Sequence, residues 1–78
     1  MEYNRQTVEE RAREIAPDMK KFAYASPHEV HKEILRLYRE REDAFTYPTP
    51  MVSVAEVIND IDAMLLVLGD RRKYFGNK

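Results

Sequence analysis

The chain contains no cysteine and no tryptophan, and only two of its 78 residues are glycine. Without cysteine it has no disulfide framework, no thiolate metal site and no cysteine nucleophile. A domain this small rarely gains more than about 3–5 kcal/mol of net stability from its core. Because such domains often gain further stability by oligomerising, we expect a homo-oligomer, with a dimer favoured.

No excess of either charge is present, since 13 basic residues stand against 14 acidic ones. Strong non-specific attraction to nucleic acid or to an anionic membrane is therefore not indicated. No apolar run reaches the ~18–20 residues that span a bilayer, and the N-terminus lacks the apolar stretch of a secretion signal. We expect a cytoplasmic protein that does not engage membranes and forms a single helical domain over residues 1–78.

The patterning predicts an all-α fold, a small three-helix bundle-like domain with helices over about 8–24, 27–44 and 54–75. Each predicted start carries a capping box, in which a Ser or Thr is followed three residues later by Glu; the serine or threonine residues are Thr7, Ser26 and Ser53. At the third start, Val52 and Val57 are also spaced as a hydrophobic staple. Gly76 is placed to cap the last helix, although Gly69 offers an earlier end.

Helix one carries a narrow apolar stripe that recurs at spacings of three and four residues: Val8, Ala12, Ile15, Met19 and Phe22. Pro17 interrupts this helix, and an internal proline costs about 3 kcal/mol unless the helix bends. Because the stripe continues past Pro17, we expect one kinked helix, with two short helices as the alternative.

Helix two carries an apolar face composed of Val30, Ile34, Leu37, Tyr38 and Phe45. Arg41 falls inside this face, so we expect it to be partly buried and to need a carboxylate partner. Asp62 and Asp60 on helix three are the candidates.

Helix three is the most apolar segment of the chain and has a main face running from Val54 to Leu68. It also carries a second apolar face, formed by Ala63, Leu66, Val67 and Tyr74. A helix packed in a monomeric domain needs one apolar face of about 100°, and surplus apolar surface marks contact with another chain. We therefore predict that these four residues form an interaction surface. The alternative is that helices one and two cover both faces.

Five basic residues suggest a different function, namely binding of nucleic acid or of a phosphate-bearing ligand. Lys32, Arg36 and Arg39 follow one side of helix two, and Arg71 and Arg72 precede Tyr74 and Phe75 near the C-terminus. Cations beside aromatic rings can hold phosphates and stack bases. Cations also stabilise the C-terminal end of any helix, so this function is the alternative and not the first choice.

No catalytic residues, cofactor or metal site are predicted. His28 and His31 lie three residues apart, whereas the zinc-protease motif requires a four-residue spacing with an intervening glutamate as base. Residues 58–72 resemble the first helix of the all-helical chorismate mutase family, through Ile58, Ile61, Asp62, Leu65, Leu68 and Arg72. This likeness covers 15 of the 78 residues and consists mostly of amphipathic spacing. We therefore predict a non-enzymatic protein–protein interaction module, an adaptor, regulator or inhibitor, that self-associates through helix three.

Overall fold

The computed structural model describes residues 5–51 and 53–76, and within them the chain is helical without any strand. The α-helices are α1 (Arg5–Ile15), α2 (Pro27–Thr46), α3 (Val54–Gly69) and α4 (Arg71–Phe75), and a 3₁₀ segment (Ala16–Phe22) follows α1. The predicted all-α class is confirmed. No helix in these two ranges is long and apolar enough to cross a membrane.

The kinked first helix is not observed, because α1 ends at Ile15 and the backbone continues as the 3₁₀ segment with Pro17 in its first turn. Thr7 lies inside α1 and not at its start. A 3₁₀ helix has three residues per turn, so residues three apart lie on one side. Ala16 and Met19 are accordingly buried, and Phe22 packs against the core. The apolar stripe of α1 therefore continues past the proline without a kinked α-helix.

The N-caps predicted at Ser26 and Ser53 are confirmed, and of these two the reciprocal bond of the capping box is observed at Ser26 alone. The Ser26 hydroxyl accepts a hydrogen bond from the Glu29 backbone N–H, and the Glu29 side chain accepts one from the Ser26 N–H, which completes the capping box. Ser53 accepts from the Glu56 N–H. The predicted staple involves Val52, which lies outside the described residues.

The last predicted helix is divided in two at Gly69 and Asp70. Asp70 has a non-helical backbone, with φ −142° and ψ 66°, and its carboxylate accepts from the Lys73 N–H. It therefore ends α3 and caps α4. Gly76 adopts the left-handed conformation at φ 66° and ends α4, as predicted.

The core is organised around α3, which packs against α1 on one side and against α2 on the other. The buried residues come mostly from α1, α2, α3 and the 3₁₀ segment, and Leu37 on α2 and Val67 on α3 are the largest side chains that are fully enclosed. α1 and α2 make few contacts with each other. Among the described elements, α3 thus lies between α1 and α2, and each of these two helices packs mainly against α3.

Two ion pairs tie the outer helices to α3. Arg41 on α2 donates from Nε to Asp62 at 2.8 Å, which confirms the predicted pair. Arg11 on α1 donates from Nε to Asp60 at 2.8 Å. The hydrogen bond to Asp60 raises the pKa of the Arg11 guanidinium. Asp60 and Asp62 are two residues apart and therefore lie on nearly opposite sides of α3. The two ion pairs thus help to orient α1 and α2 against α3.

Candidate protein-binding surface

The second face of α3 is covered by the chain itself. Ala63 and Val67 are 0% exposed and belong to the same core cluster as Val8, Ala12 and Ile15 of α1. Leu66 and Tyr74 are half-buried and pack against that cluster. The prediction that this face lacks a partner within the chain is therefore corrected, since two of its four residues have no surface to offer to another protein.

Exposed apolar side chains lie along α2 and in the segments that flank it, where they are Tyr24, Tyr47 and Met51. Leu35, Tyr38 and Phe45 are 55%, 57% and 59% exposed. Tyr38 and Phe45 were expected in the core, and that expectation is wrong. Residues 35, 38, 42 and 45 recur at spacings of three, four and three, so they lie along one side of the helix. We call Leu35, Tyr38, Glu42 and Phe45 the α2 outer stripe.

The arginine at the boundary of the core explains why this stripe faces outward. Arg41 binds Asp62 on α3, and its guanidinium lies 5.7 Å from the ring centroid of Phe45. Tyr38 and Phe45 flank Arg41 at spacings of three and four residues, so they lie above and below it on the helix surface. The ion pair therefore occupies the contact between α2 and α3 at this level and leaves both rings outside it.

Two charged side chains beside these rings have no ion-pair partner among the residues that the structure describes. They are Arg39 and Glu42, both exposed. Of the other charged groups on this part of α2, Arg36 binds Glu33 and Glu40, and Arg41 binds Asp62. Asp43 is also exposed and forms no ion pair within the described residues. The stripe thus combines three apolar side chains with one unpaired carboxylate, and an unpaired cation lies at its margin.

The five predicted anion-binding residues do not form one site. Arg36 is held between Glu33 and Glu40 along α2. The hydrogen bond from Arg36 lowers the pKa of the Glu33 carboxyl, and the same bond raises the pKa of Arg36. This guanidinium is already matched by carboxylates of its own helix, so a phosphate would have to compete with them.

Arg71 is used to hold the fold together. Its Nη1 donates to the Phe22 carbonyl at 2.8 Å and to the Ala25 carbonyl at 2.9 Å. These bonds satisfy backbone acceptors at the end of the 3₁₀ segment and attach α4 to it. Lys32, Arg39 and Arg72 remain exposed, but the first two lie seven residues apart on α2 and the third on α4.

An open cavity of about 540 Å³ lies where the start of α2 meets the end of α3. His31, Asp70, Arg71 and Arg72 line it together with apolar residues. Asp70 offsets the positive charge of the arginines, and Arg71 is directed to the carbonyl groups described above. His28 is not among the lining residues, so the two histidines do not converge there. Within residues 5–51 and 53–76 no group of three or more His, Asp or Glu side chains is arranged to hold a metal.

One polar atom in the described part of the chain is buried without a hydrogen-bond partner, the Tyr74 hydroxyl. Its ring packs against the core, and the Lys73 ammonium lies 5.5 Å from the ring centroid. The sequence placed Tyr74 on an interaction surface, whereas the structure directs its hydroxyl inward.

The comparisons with known proteins add no functional assignment: no family model, curated protein or solved structure matches the chain significantly. The likeness of residues 58–72 to the chorismate mutase helix is also interrupted in space, because α3 ends at Gly69 and Arg72 lies on α4.

Proposed function

We propose that the protein is a non-enzymatic protein–protein interaction module that binds through the α2 outer stripe. The observation that carries the proposal is the exposure of Leu35, Tyr38 and Phe45 by more than half, at the spacing of a helix-packing seam. An apolar helix face of this kind is a common recognition surface for another helix. Its partner is a second copy of the chain, and the module acts as an adaptor, regulator or inhibitor of a larger protein.

The size of the stripe supports a weak but specific contact. Each aromatic side chain has roughly 150–250 Å² of surface, so Tyr38 and Phe45 each leave about 90–150 Å² exposed at the fractions above. At about 25 cal/mol per Å², covering both rings stabilises an association by about 4–8 kcal/mol for each chain. Association costs an estimated 4–15 kcal/mol, which is comparable to the total for two stripes, so we expect a weak dimer.

The test compares one substitution at two tyrosines. Tyr38→Asp places a charge in the stripe, whereas Tyr24→Asp makes the same change in the turn before α2, where Tyr24 is 89% exposed. We expect light scattering to give a dimer mass for the unmodified chain and for Tyr24→Asp, and a monomer mass for Tyr38→Asp. All three proteins should unfold at similar temperatures at low concentration, because neither tyrosine is part of the core.

The proposal fails if the unmodified chain is a monomer at all concentrations, or if Tyr38→Asp leaves the mass unchanged. A mass that falls steeply with added salt would instead favour an electrostatic contact, because burial of apolar surface is little affected by screening. The predicted cytoplasmic location belongs to the same proposal and is tested by cell fractionation.

A further inference from the structure

We infer that the α2 outer stripe packs against the same stripe of a second copy in antiparallel orientation, about a two-fold axis level with Glu40. The inference rests on the proposed function and adds the orientation and the facing residues. Its first support is the spacing of residues 35, 38, 42 and 45, which matches the alternating three- and four-residue steps of a coiled-coil seam.

Geometry decides which residues face each other. In a two-fold contact, residue i meets residue j and residue j meets residue i. In an antiparallel pair centred on Glu40, residues equally distant from that position come level. Leu35 then faces Phe45 of the second copy, and Tyr38 faces its Glu42. Each of the four stripe residues then has a partner in the second copy, and each facing pair consists of two different side chains.

Charge favours this orientation over the parallel one. A parallel pair in register would set Glu42 against Glu42 of the second copy, and like charges facing each other in a contact are costly. In the antiparallel pair the Glu42 carboxylate meets the Tyr38 hydroxyl, which can donate a hydrogen bond to it. The Arg39 guanidinium, one residue from Tyr38, lies within reach of the same carboxylate.

Two charges that are unmatched in the single chain are thereby matched between chains. Arg39 and Glu42 have no ion-pair partner among the described residues, as noted above, and the antiparallel pair brings them together twice. Arg39 also comes level with Arg41 of the second copy, but that guanidinium is bound by Asp62 within its own chain. The contact therefore places no unmatched charge in its centre.

The experiment measures dimer dissociation by sedimentation equilibrium over roughly 1 µM to 1 mM, the weak end of protein affinities. Four variants are compared: Arg39→Glu, Glu42→Arg, the double variant that carries both changes, and Glu42→Gln. We expect each single charge reversal to weaken the dimer by about tenfold or more, and the double variant to recover to within about threefold of the unmodified chain. Glu42→Gln should weaken it by about threefold.

The outcomes separate the orientation from the function. If Glu42→Gln tightens the dimer, the two glutamates face each other and the parallel pair is correct. If Tyr38→Asp abolishes the dimer but the double reversal shows no recovery, the proposed function stands and the antiparallel arrangement is overturned. A chain that is monomeric throughout overturns both. Because both charged residues are exposed, circular dichroism should show that all four variants remain folded.

Discussion

Val67→Ala tests where α3 is covered, because the sequence suggested a contact between chains at Val67 and the structure shows complete burial within one chain. The substitution removes two methyl groups from the cluster that α1 and α3 share. Deleting one buried methyl group typically costs about 0.5–1.5 kcal/mol. The better helix propensity of alanine returns a few tenths, so we expect a loss of about 1–2.5 kcal/mol.

This loss is large for a domain of 78 residues. A core of this size supplies about 3–5 kcal/mol, so Val67→Ala should remove between about a fifth and four fifths of the free energy of unfolding. One kcal/mol corresponds to about 4–8 °C in the unfolding temperature of such a domain. A decrease of about 5–20 °C should therefore be measured by circular dichroism, with the same loss in urea unfolding.

The matched control is Val54→Ala, which removes the same atoms from the same helix. Val54 is half-buried in the first turn of α3, so its truncation should cost less than about 1 kcal/mol. The reasoning is refuted if the two variants lose equal stability. It is also refuted if Val67→Ala loses stability only at protein concentrations where the chain is dimeric, because that dependence would place Val67 between chains.

Two further predictions concern polar groups. Tyr74→Phe removes a buried hydroxyl that lacks a hydrogen bond, whose burial costs about 1–3 kcal/mol, so its urea midpoint should equal or exceed that of the unmodified chain; a clear decrease would contradict this. Glu33→Gln removes the pairing with Arg36 and should lower the free energy of unfolding at pH 7 by about 0.2–1 kcal/mol. Since the folded pKa of Glu33 lies below its ordinary value of 4.5, this difference is fully present above pH 4.5 and should vanish as the pH falls through the folded pKa. An equal difference at about pH 3 would contradict the assignment.

The features that sequence predicts best are decided within one helical turn. The caps at Ser26 and Ser53 need only a hydroxyl and an N–H three residues away, and both form. The left-handed cap at Gly76 likewise depends on one residue. The Arg41–Asp62 pair was predictable for a different reason, because a cation inside an apolar stripe requires a nearby carboxylate.

The breaks in the helices were harder to predict because two local tendencies compete at each. At Pro17 the continuing apolar stripe favoured a helix, and a 3₁₀ segment preserves that stripe while ending the α-helix. At Asp70 the aromatic residues beyond favoured continuation, whereas the carboxylate caps a new turn. In both places the apolar side chains face the core, but the α-helix ends and a different backbone segment places them there: the 3₁₀ segment after Ile15 and α4 after Asp70.

The position of the candidate surface was not predictable from periodicity, because periodicity counts apolar faces without saying which neighbour covers each one. α3 carries two apolar faces and lies between two helices, so both are covered. Within the described residues α2 packs mainly against α3, and the side of α2 that holds Val30 and Leu37 is buried. An outer helix with one neighbour needs an apolar face of only about 100°. The apolar residues of α2 beyond that width, Tyr38 and Phe45 among them, therefore face outward, and the surplus surface predicted for the middle helix lies on the outer one.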